Sequence, residues 1–293
     1  MLRPFGGGHA GAVPATFDPA WGVLAEQAEA EFMYRLNDDA SAASKRALGM
    51  DAVRIGGGVL TLMTHDPTGG YWNKAIGLGL TEPLTAGTVD EVLRLGTAHA
   101  VPALAFQVAP HARPADWQRL LEERGLAPGL LFVKYFGPIP DPGPDHTDLR
   151  IDRLGPEHAA EYGRVIRTGF DMPPDPAMEA WFAEAPTYGD DWVTYGAWAG
   201  DDLAAVANLF VHGDVATLSG AATLPQFRRR GAQSALMAAR IREGAARGCA
   251  WLSTETWPES PGNPNPSQHN MRQLGLTELY VRQNWVFKPV RTP

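Results

Sequence analysis

The stretch ATLPQFRRRGAQSALMAA, residues 222–239, decides how the rest of the chain is read. A β-rich run ends at Leu224, and Pro225 lacks the N–H that a strand ladder needs. Arg228, Arg229 and Arg230 then precede Gly231, and an alanine-rich run of strong helix formers begins at once, extending to about Arg247. A helix N-terminus carries unpaired N–H groups and a partial positive charge. A strand–loop–helix passage of this kind is therefore a seat for phosphate. Gly231 lets the backbone approach such a group closely, and flanking guanidiniums add charge-assisted bonds. The arginines alone would read equally well as a solvated surface run. The glycine and the helix behind them favour the anion seat.

Outward from this passage the C-terminal half alternates clearly. Leu149–Leu154 (LRIDRL) has the period of a half-buried strand. Pro156 suits the first position of a helix reaching about Thr168, and a shorter helix is expected over Pro176–Ala185. Trp192–Trp198, Leu203–Val211 and Val215–Leu224 read as a meander, with turns at residues 199–202 and 212–214. After the helix that starts near Gly231 come a strand over Cys249–Glu255, a short helix over Asn265–Leu274 and a closing strand over Glu278–Lys288. The order is β-α-α-β-β-β-α-β-α-β.

Upstream, Gly137–Asp148 reads GPIPDPGPDHTD, too rich in proline and glycine for a helix or a central strand, and is expected to be a linker. The half before it gives helices at Pro19–Leu36, with Glu26, Glu29 and Glu31 among its apolar residues, and at Ala40–Leu48. Strands follow at Ala52–Ile55, Val59–Thr64 and Ala75–Leu80, then a helix at Thr88–Ala98, a strand at Ala103–Val108, a helix at Ala115–Arg124 and a strand at Leu130–Phe136. That is the same order without its first strand. The repeat is one of element order rather than of sequence. Two domains are expected, 1–136 and 149–293, joined by the linker 137–148.

Composition narrows the function classes. The 293 residues are 44% apolar and carry a net charge of −8, which argues against nucleic-acid binding. Cys249 is the sole cysteine, so no internal disulfide or cysteine-based zinc cluster is expected, and no histidine or carboxylate spacing suggests a metal site. Glycine and proline interrupt residues 1–19 where a signal peptide would be apolar, and no run is long enough to span a membrane. The expectation is a cytoplasmic protein, monomeric or homodimeric, with no membrane partner.

The segment from Thr223 to Leu236 resembles the signature of the GNAT superfamily of N-acyltransferases, R/Q-x-x-G-x-G/A, commonly within V-x-P-x-Y-R-x-K/R-G-x-G-x-x-L. Pro225, Phe227, Arg228, Arg230, Gly231 and Leu236 match it, and Gln233 departs where glycine or alanine is usual. The resemblance covers residues 149–290 and implies an α/β (α+β) fold: two GNAT-like domains in tandem, each a mixed, mostly antiparallel sheet flanked by helices. It implies acetyl-CoA, or another acyl-CoA, as co-substrate and a small-molecule primary amine as acceptor. Arg229, Arg230, Gly231, Ala232, Gln233 and Ser234 would hold the pyrophosphate. The backbone of Ala222, Thr223 and Leu224 would pair with the pantetheine arm, and Ser267 and Asn270 would meet that arm from the short helix. The first half lacks the phosphate loop: residues 81–87 read TEPLTAG, with no arginine and with Glu82 opposing an anion. Its segment Asn73–Gly79 resembles the degenerate first domain of tandem members, and Tyr71, Trp72 and Asn73 are candidates to line an acceptor pocket or simply to pack.

Acyl transfer to an amine needs a base, donors for the oxyanion, and a way to protonate the departing thiolate. Glu255, at the end of its strand, is the candidate base, or else a solvated carboxylate. The tyrosine that acts as acid in the family falls on Met271 here. Tyr280 is the candidate replacement, or a core residue. His269 is a lesser candidate, Asp171 and Asp175 are helix caps or cation ligands, and His212 is an exposed turn residue. The alternative to an enzyme is a catalytically silent acyl-CoA-binding module.

Overall fold

Two strands leave their own half of the chain, and this exchange organises the molecule. The computed structural model describes residues 18–144, 146–260 and 262–289. The first half supplies α1 (Pro19–Asp38), α2 (Ala42–Leu48), β1 (Met50–Ile55), β2 (Gly58–Met63), β3 (Lys74–Ile76), α3 (Ala86–Ala98), β4 (Leu104–Gln107), α4 (Trp117–Glu123) and β5 (Ala127–Pro138). The second supplies β6 (Arg150–Arg153), α5 (Ala159–Gly169), α6 (Pro176–Phe182), β7 (Trp192–Ala199), β8 (Asp202–His212), β9 (Val215–Thr223), α7 (Ala232–Ala246), β10 (Trp251–Thr256), α8 (Pro266–Gln273) and β11 (Thr277–Phe287). Both halves follow the element order expected from the sequence. They form one sheet, ordered β1-β2-β3-β4-β11-β5-β10-β9-β8-β7-β6. Only β3–β4 and β9–β10 pair in parallel.

The final strand of each half therefore completes the sheet of the other. β5 runs antiparallel between β10 and β11, and β11 lies between β5 and β4. The proline-rich segment begins inside β5: Gly137 and Pro138 still pair with Leu252 and Trp251. Strand alternation divides the core between the two faces. Val59, Met63, Val206 and Phe210 meet Met33, Leu36, Val165, Ile166, Met178 and Trp181 on one side. On the other, α7 and α8 place Met237, Ile241 and Met271 over Val133, Leu209, Leu218 and Leu252. The indole N–H of fully buried Trp181 donates to Leu36 O at 3.1 Å, tying α6 to α1 across the halves.

A parallel pair opens between strands in each half. In the first half β3 and β4 pair as far as Ile76 and Gln107. Beyond them a helical turn at Pro110–Ala112 closes on Gly79, whose φ of +80° and missing side chain admit the Ala112 carbonyl; a Cβ there would lie 2.4 Å from that oxygen. In the second half the opening is not filled in this way, and it holds the candidate site.

Candidate active site

β9 and β10 pair only as far as Leu218 and Thr254. Ser219 and Glu255 are the next residues, and from there the strands diverge. The opposite edge of β9 is disturbed at the same level: Val206 and Asn208 of β8 face Ala222 and Ser219, leaving an extra residue on β9, and Gly220 takes a φ of +53°. Gly220 is exposed although its strand is central, because no strand covers it on the β10 side. Leu224 N–H donates to Ala204 O of β8 at 3.0 Å. By alternation the backbone groups of Thr223 point to the open edge, where they are available to an extended ligand. The two exposed large apolar side chains among the described residues, Phe170 and Trp257, stand at the rim. Phe170 follows Gly169, which packs on Ala222, and Trp257 follows the last residue of β10.

At the mouth of the opening, Arg229 and Gly231 both have left-handed backbone, with φ of +66° and +76°. The loop curls so that α7 starts on Gly231 with no side-chain cap. The N–H of Ala235 is the first to reach a helical carbonyl, Gly231 O at 3.0 Å, so the donors of Ala232, Gln233 and Ser234 are left at the helix end. Arg229 is exposed. Arg230 is already engaged by Asp148 of the linker, and Arg228 reaches the carbonyls of Gly169 and Thr223, each at 3.5 Å. Gly231 has a role that the sequence did not show. A Cβ on it would lie 2.4 Å from His146 O, so it is the linker that comes close to this glycine. Gln233 Nε2 donates to Ser267 Oγ at 2.5 Å, joining α7 to α8. Asn265 caps α8 and donates to Trp257 O at 2.6 Å, which fixes Ser267 beside the end of β10. Asn270 is half-buried one turn further along α8, and His269 is exposed.

Glu255 is held at one oxygen. Arg282 Nη2 donates to its Oε2 at 2.7 Å, and Lys134 Nζ lies 3.3 Å from the same atom. Oε1 makes no hydrogen bond among the described residues, and the side chain is 20% exposed. Arg282 also binds Glu26 at 2.5 Å and Glu29 at 2.9 Å, and Lys134 pairs with Glu29. Three carboxylates thus face two cations on the side of the sheet covered by α1. Burial raises the Glu255 carboxyl above the ordinary range, and the neighbouring Glu29 raises it further against the pull of Lys134 and Arg282. At Glu29 burial acts the same way, but Arg282 and Lys134 overcome it and hold that carboxyl well below the usual range. The structure thus separates the two acids.

Tyr280 is not brought to the opening. It is buried on β11, and its hydroxyl donates to Glu26 Oε1 at 2.7 Å. Burial, reinforced by Glu26, pushes its pKa well up. Tyr162 of α5, which the sequence reading passed over, does approach. It is 3% exposed, its hydroxyl makes no hydrogen bond among the described residues, and that oxygen lies 3.9 Å from where a Cβ of Gly220 would sit. Beneath the bulge, buried Arg240 of α7 donates to Asn208 O at 2.9 Å, Ser219 O at 3.3 Å and Leu236 O at 3.0 Å. Burial pushes its pKa down to about 10, opposed by Tyr162. Burial also raises Tyr162, and the guanidinium opposes that rise. Asp175 caps α6, accepting from Met178 N at 2.8 Å. Asn73 is fully buried and accepts from Met63 N at 2.6 Å. Among the described residues no group of three or more His, Cys, Asp or Glu is placed to hold a metal ion. No helix among them is long and apolar enough to cross a membrane.

A sequence model described as "Acetyltransferase (GNAT) domain" matches residues 145–254. No curated protein matches the sequence. Among solved structures, a GCN5-related N-acetyltransferase from Kribbella flavida is similar with a TM-score of 0.57 at 16% identity, covering 85% of this chain and 95% of its own. A tandem GNAT protein from the clavulanic acid biosynthesis pathway is similar with a TM-score of 0.57 at 14% identity, covering 92% of this chain and 96% of its own. A GCN5-related N-acetyltransferase from Sphaerobacter thermophilus is similar with a TM-score of 0.56 at 13% identity, covering 96% and 99%. At these identities the likeness is one of fold.

Proposed function

We propose that this chain, whose residues 145–254 form a GNAT acetyltransferase domain within a tandem GNAT fold, moves an acetyl or related acyl group from coenzyme A to a primary amine of a small molecule. The observation that carries the reading is the position of Glu255 as the first residue beyond the last β9–β10 rung, with one carboxylate oxygen anchored and the other free. The loop from Arg229 to Ser234 would seat the pyrophosphate, and the open edge of β9 at Thr223 would pair with the pantetheine arm. Ser267 and Asn270 flank that path on α8.

Glu255 Oε1 takes a proton from the ammonium of the acceptor, and the freed amine attacks the thioester carbon in a ternary complex. Backbone donors on the open edge of β9 stabilise the oxyanion. As the C–S bond breaks, the hydroxyl of Tyr162 gives its proton to the sulfur, the positive charge of Arg240 below it favours the phenolate, and that phenolate takes up the second proton that the attacking nitrogen sheds in becoming an amide. Replacing Tyr162 with phenylalanine is expected to lower kcat by on the order of 10²-fold with little change in acetyl-CoA affinity. Parental kcat in that variant would remove Tyr162 from the mechanism. The test of the function itself is thiol release from acetyl-CoA by the full chain against a panel of amines. Turnover with at least one primary amine supports it. Acetyl-CoA binding without turnover of any member supports instead the silent module, which is favoured by buried Met271 standing where the family has its acid.

A further inference from the structure

Lys74 is a buried charge that the mechanism leaves unused. It opens β3 and is 4% exposed. Its ammonium makes no hydrogen bond or ion pair among the described residues. Nζ lies 4.2 Å from the centroid of the Tyr71 ring and 6.0 Å from those of Trp72 and Phe132. Aromatic faces attract a cation, but they do not replace the acceptors that three ammonium hydrogens find in water. The other charged side chains buried among the described residues all have such partners. Glu26, Glu29, Lys134 and Arg282 pair with one another. Asp66 accepts from Thr68, Gly70 and Trp72, and Arg240 donates to three carbonyls. Lys74 is the one of these buried charges that has no hydrogen bond or ion pair among the described residues.

Its position says which anion. Lys74 shares the α1-covered face of the sheet with Thr61 and Ile76. The ring of Phe132 beside it is on β5, two residues before Lys134, and Lys134 shares a rung with Glu255. Two residues of strand advance about 6.6 Å, and the charge of Lys74 is among those that act on Glu255. A cation collared by aromatic rings therefore stands on the same side of the sheet as the candidate base, within reach of its charge. We infer that the acceptor is an amine that also carries a carboxylate, an amino acid or a close relative, with its amine at Glu255 and its carboxylate at Lys74. Tyr71, Trp72 and Phe132 border the carbon skeleton between them. This inference rests on the reading of Glu255 as the base.

The experiment compares matched acceptors with acetyl-CoA and the full chain: lysine against cadaverine, and α-, β- and γ-amino acids against the amines that lack the carboxylate. Binding of each is followed by calorimetry in the presence of coenzyme A, and turnover by thiol release. The carboxylated member is expected to be favoured about 10- to 100-fold, the worth of one charge-assisted hydrogen bond. Lys74→Met is expected to collapse that ratio to about one while melting no lower than the parent, since it removes a buried charge that makes no hydrogen bond or ion pair among the described residues. Lys74→Arg should retain part of the ratio. Equal binding of both members, or a ratio unchanged in Lys74→Met, overturns the proposal. So does a carboxylate preference that appears in the acyl donor, with succinyl-CoA against acetyl-CoA, and not in the acceptor. Carboxylate-dependent binding without any turnover upholds the Lys74 site and sinks the transfer reaction instead.

Discussion

Replacing Arg282 with methionine is expected to destabilise the protein by about 3–5 kcal/mol in urea or guanidinium denaturation. Arg282 is fully buried and is the common partner of Glu26, Glu29 and Glu255. Methionine fills much of the same volume, so the loss comes from charge rather than from a cavity. Lys134 would remain as the nearby cation paired to Glu29 and Glu255, and Glu26 would lose its ion pair and keep the Tyr280 hydroxyl. Burial makes such a carboxylate costly or forces it to protonate. The network also spans the exchanged strands: Glu26 and Glu29 come from α1, Lys134 from β5, Glu255 from β10 and Arg282 from β11. Its loss therefore weakens the junction of the two halves. A denaturation midpoint equal to that of the parent would show that the cluster does not hold the fold.

The largest effect on activity is expected from Glu255→Gln, a fall in kcat on the order of 10²- to 10⁴-fold. The amide keeps the shape but takes no proton from the acceptor. The pH dependence gives the sign. The Glu255 carboxyl lies above the ordinary glutamate range because it is buried and close to Glu29. A base must be deprotonated to act, so parental kcat/KM falls as pH drops through that raised value. The acidic limb should be missing from the residual activity of Glu255→Gln. A variant within about threefold of the parent, or one that keeps the limb, would transfer the role of base to another group. An equivalent loss from misfolding is separated by the retained acetyl-CoA affinity expected of this variant, because the proposed phosphate seat at Arg229–Ser234 makes no hydrogen bond to Glu255 among the described residues.

Much of this was legible in the chain. The passage from Leu224 to Gly231 marked the helix end, and the order of elements followed from periods of two and 3.6 and from the turn residues. The strand exchange was not legible. Alternation in Leu130–Phe136 or in Glu278–Lys288 states which face is buried but not which strand lies alongside. The sequence around Gly231 points to a ligand, and the structure adds the linker at His146. The charged cluster did leave a signal in Lys134 within LLFVKYF and Arg282 within LYVRQNW, lone cations in runs that must be buried. Their partners Glu26 and Glu29 lay in a helix whose glutamates resemble an ordinary wet face, so the pairing could not be inferred. Tyr280 is near the final helix in sequence, yet its side chain faces α1 and Glu26. Tyr162 sits far away along the chain, and only the packing of α5 on the β9 bulge brings it to Gly220.

Calorimetric titration of the full chain with acetyl-CoA tests the central claim most directly. One equivalent per chain with micromolar affinity, about −8 kcal/mol, is the result that an open second-half cleft and a closed first-half cleft require. No heat of binding up to millimolar acetyl-CoA, or two equivalents per chain, would contradict it.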